Sequence, residues 1–298
     1  MFAKMREAGE DYCVMEVSSH SLELKRVEGC FFNTGVFTNL SRDHLDFHKT
    51  FENYLNAKLK LFKQSRIAVV NADDQYGATV TGRISIPYIT YAVNNGATVT
   101  AEKIEMTPNY SKFTIRYNGE GKEVKLPLTG RFNIYNALSA ASACIAEGIS
   151  LQTIKEGLES VEAVPGRSEL IDSGRGFTIL IDFAHTPAEL ENILKTVGEY
   201  AVGRIITVFG CGGDRDRTKR PIMGEVAGRL SDIAFVTSDN PRTEDPMRII
   251  DDIIPGIKGS GAEYRIMENR RDAIKAALKL ASKDDIVVIA GKGHEKYQ

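Results

Sequence analysis

Five continuous apolar runs in the second half of the chain, at residues 178–182, 205–209, 233–237, 264–267 and 286–290, alternate with helical patterns that begin near Pro187, Lys219, Pro246 and Arg270. Strands that are apolar throughout must be covered on both faces, and an intervening helix returns the chain to the same edge each time. The pattern therefore predicts a mostly parallel, doubly wound sheet. Ligands of such sheets sit outside the carboxyl ends of the strands. Those ends run into Asp182-Phe-Ala-His185-Thr-Pro, Gly210-Cys-Gly-Gly-Asp-Arg215, Ser238-Asp239-Asn240-Pro241-Arg242 and Gly291-Lys-Gly-His294-Glu295. Polar, glycine-rich loops at successive strand ends point to one shared binding edge.

The first half is mixed. Residues 12–17 and 33–40 read as buried strands, 50–63 as an amphipathic helix, and 67–71 and 87–93 as further strands. From 98 to 128 polar and apolar residues alternate around Asn118-Gly119, as in a hairpin. Helical patterns follow at 132–147 and 151–161, and Val164-Pro165-Gly166 then breaks the chain, placing a domain boundary near 163. The expectation is an α/β protein of two domains, 1–163 and 164–298.

Composition narrows the function. Lys and Arg number 38 against 40 Asp and Glu, a net charge of -2, which excludes a strongly basic nucleic-acid binder. No apolar run approaches the roughly 20 residues of a membrane span, and the first residues hold no secretory core, so a cytoplasmic protein is expected. The four cysteines lack C-x-x-C spacing, which argues against a zinc site or a disulfide frame.

Several clusters have the residue types of a site. Glu16 closes the apolar run 12–17 and wants a cation if it is buried; otherwise it is a solvated strand end. Residues 41–48 supply His44, His48, Asp43 and Asp46, either as a polar site or as a helix cap with exposed histidines. At about 100° per residue, Phe51, Leu55, Lys58 and Phe62 share one stripe while Lys60 points away. A lysine on an apolar face either snorkels to water or, with its pKa lowered by burial, reacts with carbon dioxide to give a carbamate that binds a hard cation. Glu16, His44 and a modified Lys58 would make a magnesium site. All five histidines, His20, His44, His48, His185 and His294, fall inside these polar clusters.

Asn133 and Asn136 lie one turn apart and either read a nucleobase or satisfy a loop backbone. Arg167, at the boundary, either pairs with phosphate or ribose oxygens or forms a surface ion pair. Arg215 and Arg242 could face one acidic ligand and Glu295 its amine, so that a ligand carrying carboxylate and ammonium groups satisfies all three.

In this order the motifs MEVSSH, TNLSRDHLDFH, NAKLKLF, GRFNIYNA, DFAHTP, FGCGGDRDRTKRP, SDNPR and AGKGHE resemble the Mur ligase family, from about Tyr12 to the last residue. The resemblance implies an incomplete central ATPase domain with an antiparallel segment, followed by a Rossmann-like domain. It implies ATP-dependent amide formation with Mg2+ in peptidoglycan precursor synthesis. There the D-glutamyl γ-carboxylate of a UDP-N-acetylmuramoyl dipeptide becomes an acyl phosphate, which the amine of meso-diaminopimelate attacks. It implies that Lys58 is a carbamylated lysine and that Glu16 and His44 are metal ligands, the three forming the catalytic group. It places Ser18 and Arg26 on the UDP-sugar, and Asn133, Asn136, Arg167 and Asp182 around ATP. It places Arg215, Asp239, Asn240, Pro241, Arg242, Gly291 and Glu295 on diaminopimelate. The Arg of DNPR discriminates, because a buried fork without a second carboxylate to bind would disfavour lysine.

Two departures from the family pattern qualify this. The sequence has neither the family's N-terminal UDP-binding domain nor its Walker A loop, and Leu24 stands where some members carry Gln. The chain is thus expected to be a fragment, a monomer, and inactive alone in phosphoryl transfer. The rival readings are a lysine-adding or folylpolyglutamate-type ligase, and a non-catalytic amino-acid-binding module.

Overall fold

The computed structural model describes residues 2–41, 45–107, 109–162, 164–295 and 297–298, with the backbone alone for Asp46. His44, Asp43 and the boundary position 163 lie outside the described residues.

Two six-stranded sheets form, one in each half of the chain. The first runs in chain order through β1 (Phe32–Phe37), β2 (Ser65–Asn71), β3 (Tyr88–Ala92), β4 (Val99–Met106), β5 (Ser111–Tyr117) and β6 (Glu120–Leu126). Strands β1 to β4 pair parallel and β4 to β6 antiparallel. The β5–β6 turn is made by Asn118 at φ 48° and Gly119 at φ 79°, the two left-handed residues that a tight hairpin of this twist needs. Helices Arg131–Ala146 and Leu151–Glu159 cover one face, packing Ile134, Leu138, Ile154 and Leu158 onto Phe113, Ile115 and Val124. The opposite face gathers Phe37, Tyr54, Leu55, Phe62 and Val70.

The helix expected over 50–63 is α-helical over Phe51–Leu59, with Thr50 capping it by accepting from Asn53 N, and tightens to a 3-10 helix over Lys60–Gln64. Leu55 and Phe62 are buried, and Lys60 on the outer side pairs with Glu23 at 2.6 Å. The strand expected over 12–17 is absent. An apolar run becomes a strand only where a neighbour takes its backbone donors and acceptors. The edge strand β1 pairs with β2 alone, and residues 12–17 have no regular secondary structure, with Tyr12 68% and Val14 99% exposed.

The second sheet contains β7 (Glu169–Asp172), β8 (Thr178–Asp182), β9 (Ile205–Phe209), β10 (Ile233–Val236), β11 (Glu263–Ile266) and β12 (Ile286–Ala290), in the order β11-β10-β9-β12-β8-β7. All pairs are parallel except β7 with β8. Helices Pro187–Gly198, Lys219–Leu230 and Pro246–Ser260 bury Leu190, Leu194, Met223, Ile250 and Ile253 on one face. Helix Arg270–Leu280 sets Ala273 and Ala277 against Phe235 and Val287 on the other. Thr186 and Glu189 form a capping box, and Asp245 and Asn269 cap the later helices, so these helices start where the sequence signals them. Because β12 inserts between β9 and β8, the loops after β10, β9, β12 and β8 are neighbours in that order. Among the described residues no helix is long and apolar enough to cross a membrane.

Candidate functional site

The loops after β9 and β10 are in direct contact. Gly213 N donates to Asn240 O at 2.9 Å, and a Cβ on Gly213 would lie 1.9 Å from Pro241 O, so no larger residue fits there. Arg242 has a left-handed φ of 53° and turns Nη1 onto Gly213 O at 2.7 Å. Arg215 reaches back to Asp214 O at 3.0 Å. Both arginines are exposed, which corrects the expected buried fork at 242.

Beneath these loops lies a network that sequence reasoning missed. Arg220 is fully buried and pairs with Glu244 and Asp252; Glu244 also accepts from Asp214 N at 2.6 Å. Asp214 in turn accepts from Thr243 Oγ1 at 2.7 Å, tying the two arginine loops together. Three arginines and a lysine between 215 and 220 were the only trace of this in the sequence. Cys211 is buried against Met223, and burial pushes its thiol up to about 12, far from nucleophilic use.

At the neighbouring end of β12, Asn240 Nδ2 donates to Glu295 Oε2 at 3.0 Å. Lys292 Nζ donates to Asn240 Oδ1 at 3.1 Å and to the same Glu295 oxygen at 3.2 Å. Asp239 is buried and accepts from Asn240 N at 2.5 Å. Behind it Arg270, 5% exposed, donates Nη2 to Ala290 O at 2.7 Å and holds Nη1 at 3.9 Å from Asp239 Oδ2. Burial pulls the Arg270 guanidinium below its ordinary range, and Asp239 opposes that. Gly291 has a φ of 114°, and its missing side chain leaves room for the Asp239 carboxylate, 3.0 Å from where a Cβ would stand.

At the end of β8, the Asp182 carboxylate accepts from Ser168 N at 2.7 Å, Ser168 Oγ at 3.2 Å and Ala184 N at 2.7 Å. Burial raises its pKa against those bonds. It anchors the segment that carries Arg167, whose guanidinium lies 4.6 Å over the Phe183 ring, with His185 and His294 packed around that ring. Asn133 gives its amide to Thr129 O at 2.8 Å and accepts from Asn136 Nδ2 at 3.2 Å, so the buried amide satisfies loop backbone and presents its exposed neighbour.

The first-half candidates are less assembled. Ser18 caps helix Ser19–Glu23, and Glu16 and Arg26 are exposed. Glu16 therefore does not carry the buried charge that would require a cation. Lys58 is half-buried, with Nζ 5.2 Å from the Tyr54 ring centroid. His48 is buried, not exposed: its Nε2 meets Ser19 Oγ at 2.9 Å and its ring stacks on Tyr54, because the helical turn at 45–48 folds it inward. Among the described residues no three His, Cys, Asp or Glu side chains gather as metal ligands, so these residues by themselves do not form a magnesium cage.

Comparison with known proteins follows this division. Residues 1–144 match the Mur ligase middle domain, and residues 166–293 match the Mur ligase glutamate ligase domain. The whole chain aligns at 51% identity with UDP-N-acetylmuramoyl-L-alanyl-D-glutamate–2,6-diaminopimelate ligase 1 of Clostridium acetobutylicum, and at 50% with the corresponding ligase of Clostridium tetani. It spans 62% and 61% of their lengths. A solved structure of a UDP-N-acetylmuramoyl-L-alanyl-D-glutamate–2,6-diaminopimelate ligase superposes with a TM-score of 0.63 at 37% identity, covering 98% of this chain and 61% of that one.

Proposed function

The chain belongs to the Mur ligase family, and from that premise we propose that the full-length protein is an ATP- and Mg2+-dependent ligase that joins meso-diaminopimelate to UDP-N-acetylmuramoyl-L-alanyl-D-glutamate in the cytoplasm. The observation that carries this reading is the convergence of Asn240, Glu295, Asp239 and the Arg242 loop at adjacent strand ends, beneath which Arg220 ties the loops of Arg215 and Arg242 together. A diamino-diacid has the charges to match: carboxylates for the two arginines and an ammonium for Glu295 and the Asn240 amide oxygen.

The remaining roles follow from the same reading. Arg167 above Phe183, with Asp182 fixing its segment, offers a flat cationic platform for nucleotide oxygens, and Asn133 and Asn136 would contribute amides to the same nucleotide. Ser18 and Arg26 would touch the UDP-sugar. Glu16, His44 and a carbamylated Lys58 would ligate the metal, which when bound would neutralise phosphate charge. The domain limits would be 1–163 and 164–298, and the protein a monomer. What this chain's own residues do at the amino-acid site is hold the substrate by its charged ends, so that its reacting amine is presented in one orientation.

Phosphate release by the full-length protein, given ATP, the UDP-linked dipeptide and either meso-diaminopimelate or lysine, tests the proposal. Turnover with diaminopimelate well above lysine is expected; preference for lysine would overturn it.

A further inference from the structure

Lys292 places a primary ammonium at the corner of the site where two acceptors converge. Its Nζ stands 3.1 Å from Asn240 Oδ1 and 3.2 Å from Glu295 Oε2, and the Asn240 amide closes the triangle with its own 3.0 Å bond to that carboxylate. The Lys292 and Glu295 side chains are 12% and 20% exposed, so the group is largely withdrawn from water. A carboxylate shielded in this way needs a cation, and two oxygens aimed at one point suit an ammonium, which has three donors and no acceptor. Glu295 and Asn240 are also the groups that the amino-acid ligand would use.

We infer that Lys292 is an internal stand-in for the non-reacting ammonium of the amino-acid substrate. It neutralises Glu295 while the site is empty and gives up Asn240 and Glu295 when the substrate's ammonium arrives. A second resting place is at hand, because Nζ already lies 5.7 Å from the Tyr297 ring centroid, whose face attracts a cation. Gly291 and Gly293, at φ 114° and 46°, give the loop its turn on either side of the lysine. The arrangement sharpens selection: only a ligand that brings its own cation leaves Glu295 paired once Lys292 has moved, and a ligand lacking that group strands a shielded carboxylate. A site occupied by its own lysine about nine-tenths of the time binds its ligand about tenfold more weakly than the vacated site.

This inference rests on the amino-acid-ligase reading, so binding of meso-diaminopimelate to the unaltered full-length protein is measured first; failure there removes that reading. Where binding is present, Lys292→Met, which keeps the aliphatic stem and loses the charge, should tighten calorimetric affinity about tenfold. In protein labelled with 13C at lysine Cε, the Lys292 signal, assigned by its loss in Lys292→Arg, should narrow and move toward that of a free lysine as diaminopimelate is added. A merely structural ion pair would keep its signal unmoved. A variant that binds more weakly or equally well overturns the proposal. An unmoved signal in the unaltered protein overturns it too, even if the Met variant fails to fold.

Discussion

Arg220 and Glu244 meet in a two-point ion pair, Nη2 to Oε1 at 2.7 Å and Nη1 to Oε2 at 3.0 Å, beneath the loops that carry Arg215 and Arg242. Arg220 also reaches Asp252 at 2.8 Å, and its side chain is 1% exposed. The Arg220 hydrogen bonds, followed by the Asp214 N–H, hold the Glu244 carboxyl down to about 2. A carboxyl depressed in the folded state contributes stability that is present above its ordinary value of 4.5 and lost as the pH falls toward 2. The urea midpoint of the unaltered protein should therefore fall more steeply across that window than that of Glu244→Gln. Parallel profiles would contradict the assignment. Arg220→Met, which leaves two carboxylates without their shared partner, should cost about 3 kcal/mol of stability at neutral pH.

Asp182 fixes the segment that carries Arg167 through that segment's backbone: its carboxylate takes up Ser168 N and Oγ on one side and Ala184 N on the other. Asp182→Asn keeps the shape but replaces an acceptor with a donor, so one of those N–H groups loses its partner. The loss should be about 1–3 kcal/mol in thermal or urea unfolding. Nucleotide affinity should fall alongside it, because the Arg167–Phe183 platform loses its anchor. Retained stability with unchanged nucleotide binding, measured by calorimetry, would show that the three hydrogen bonds are dispensable.

Arg270 spans the gap between two candidate loops, with one nitrogen on Ala290 O and the other facing Asp239. Arg270→Lys has one nitrogen where two positions need to be served. It should raise the KM for the amino acid about tenfold while leaving the KM for ATP near its starting value, since a bond to a charged group is worth about 1.5–3 kcal/mol. Steady-state kinetics with each substrate varied separately checks this; equal effects on both would mean a general loss of structure.

Where periodicity carried the information, the fold was legible. The strands β8, β9 and β12 and the helix starts at Pro187, Lys219, Pro246 and Arg270 stand where the apolar runs and capping residues put them. β7 was missed because four residues on a sheet edge, half of them exposed, leave no period to read. Residues 12–17 had the composition of a strand but no partner ladder, and pairing is a property of the neighbours. At the site, the strand-end loops were found from glycine and charge, whereas Arg220 and Arg270 were not, because a buried arginine is distinguished from an exposed one only by what surrounds it. The sequence left His48 open between a polar site and an exposed position for the same reason: its local sequence is polar, and its burial comes from Ser19 and Tyr54, which lie elsewhere in the chain.

Arg242 offers the sharpest test of substrate choice. Its Nη1 donates to Gly213 O at 2.7 Å and approaches Asn240 O at 3.4 Å, the residue is exposed, and among the described residues its other guanidinium nitrogens make no hydrogen bond. A carboxylate held there gains a charge-assisted bond that lysine, with no second carboxylate, cannot make. Arg242→Ala should therefore raise the KM for meso-diaminopimelate by about a hundredfold, the equivalent of roughly 3 kcal/mol. It should leave the KM for ATP unchanged and narrow the preference over lysine. Because Arg242 is exposed and its truncation opens no cavity, the unfolding midpoint should hold within about 0.5 kcal/mol. A variant with full selectivity and normal stability would mean that the distal carboxylate is bound elsewhere.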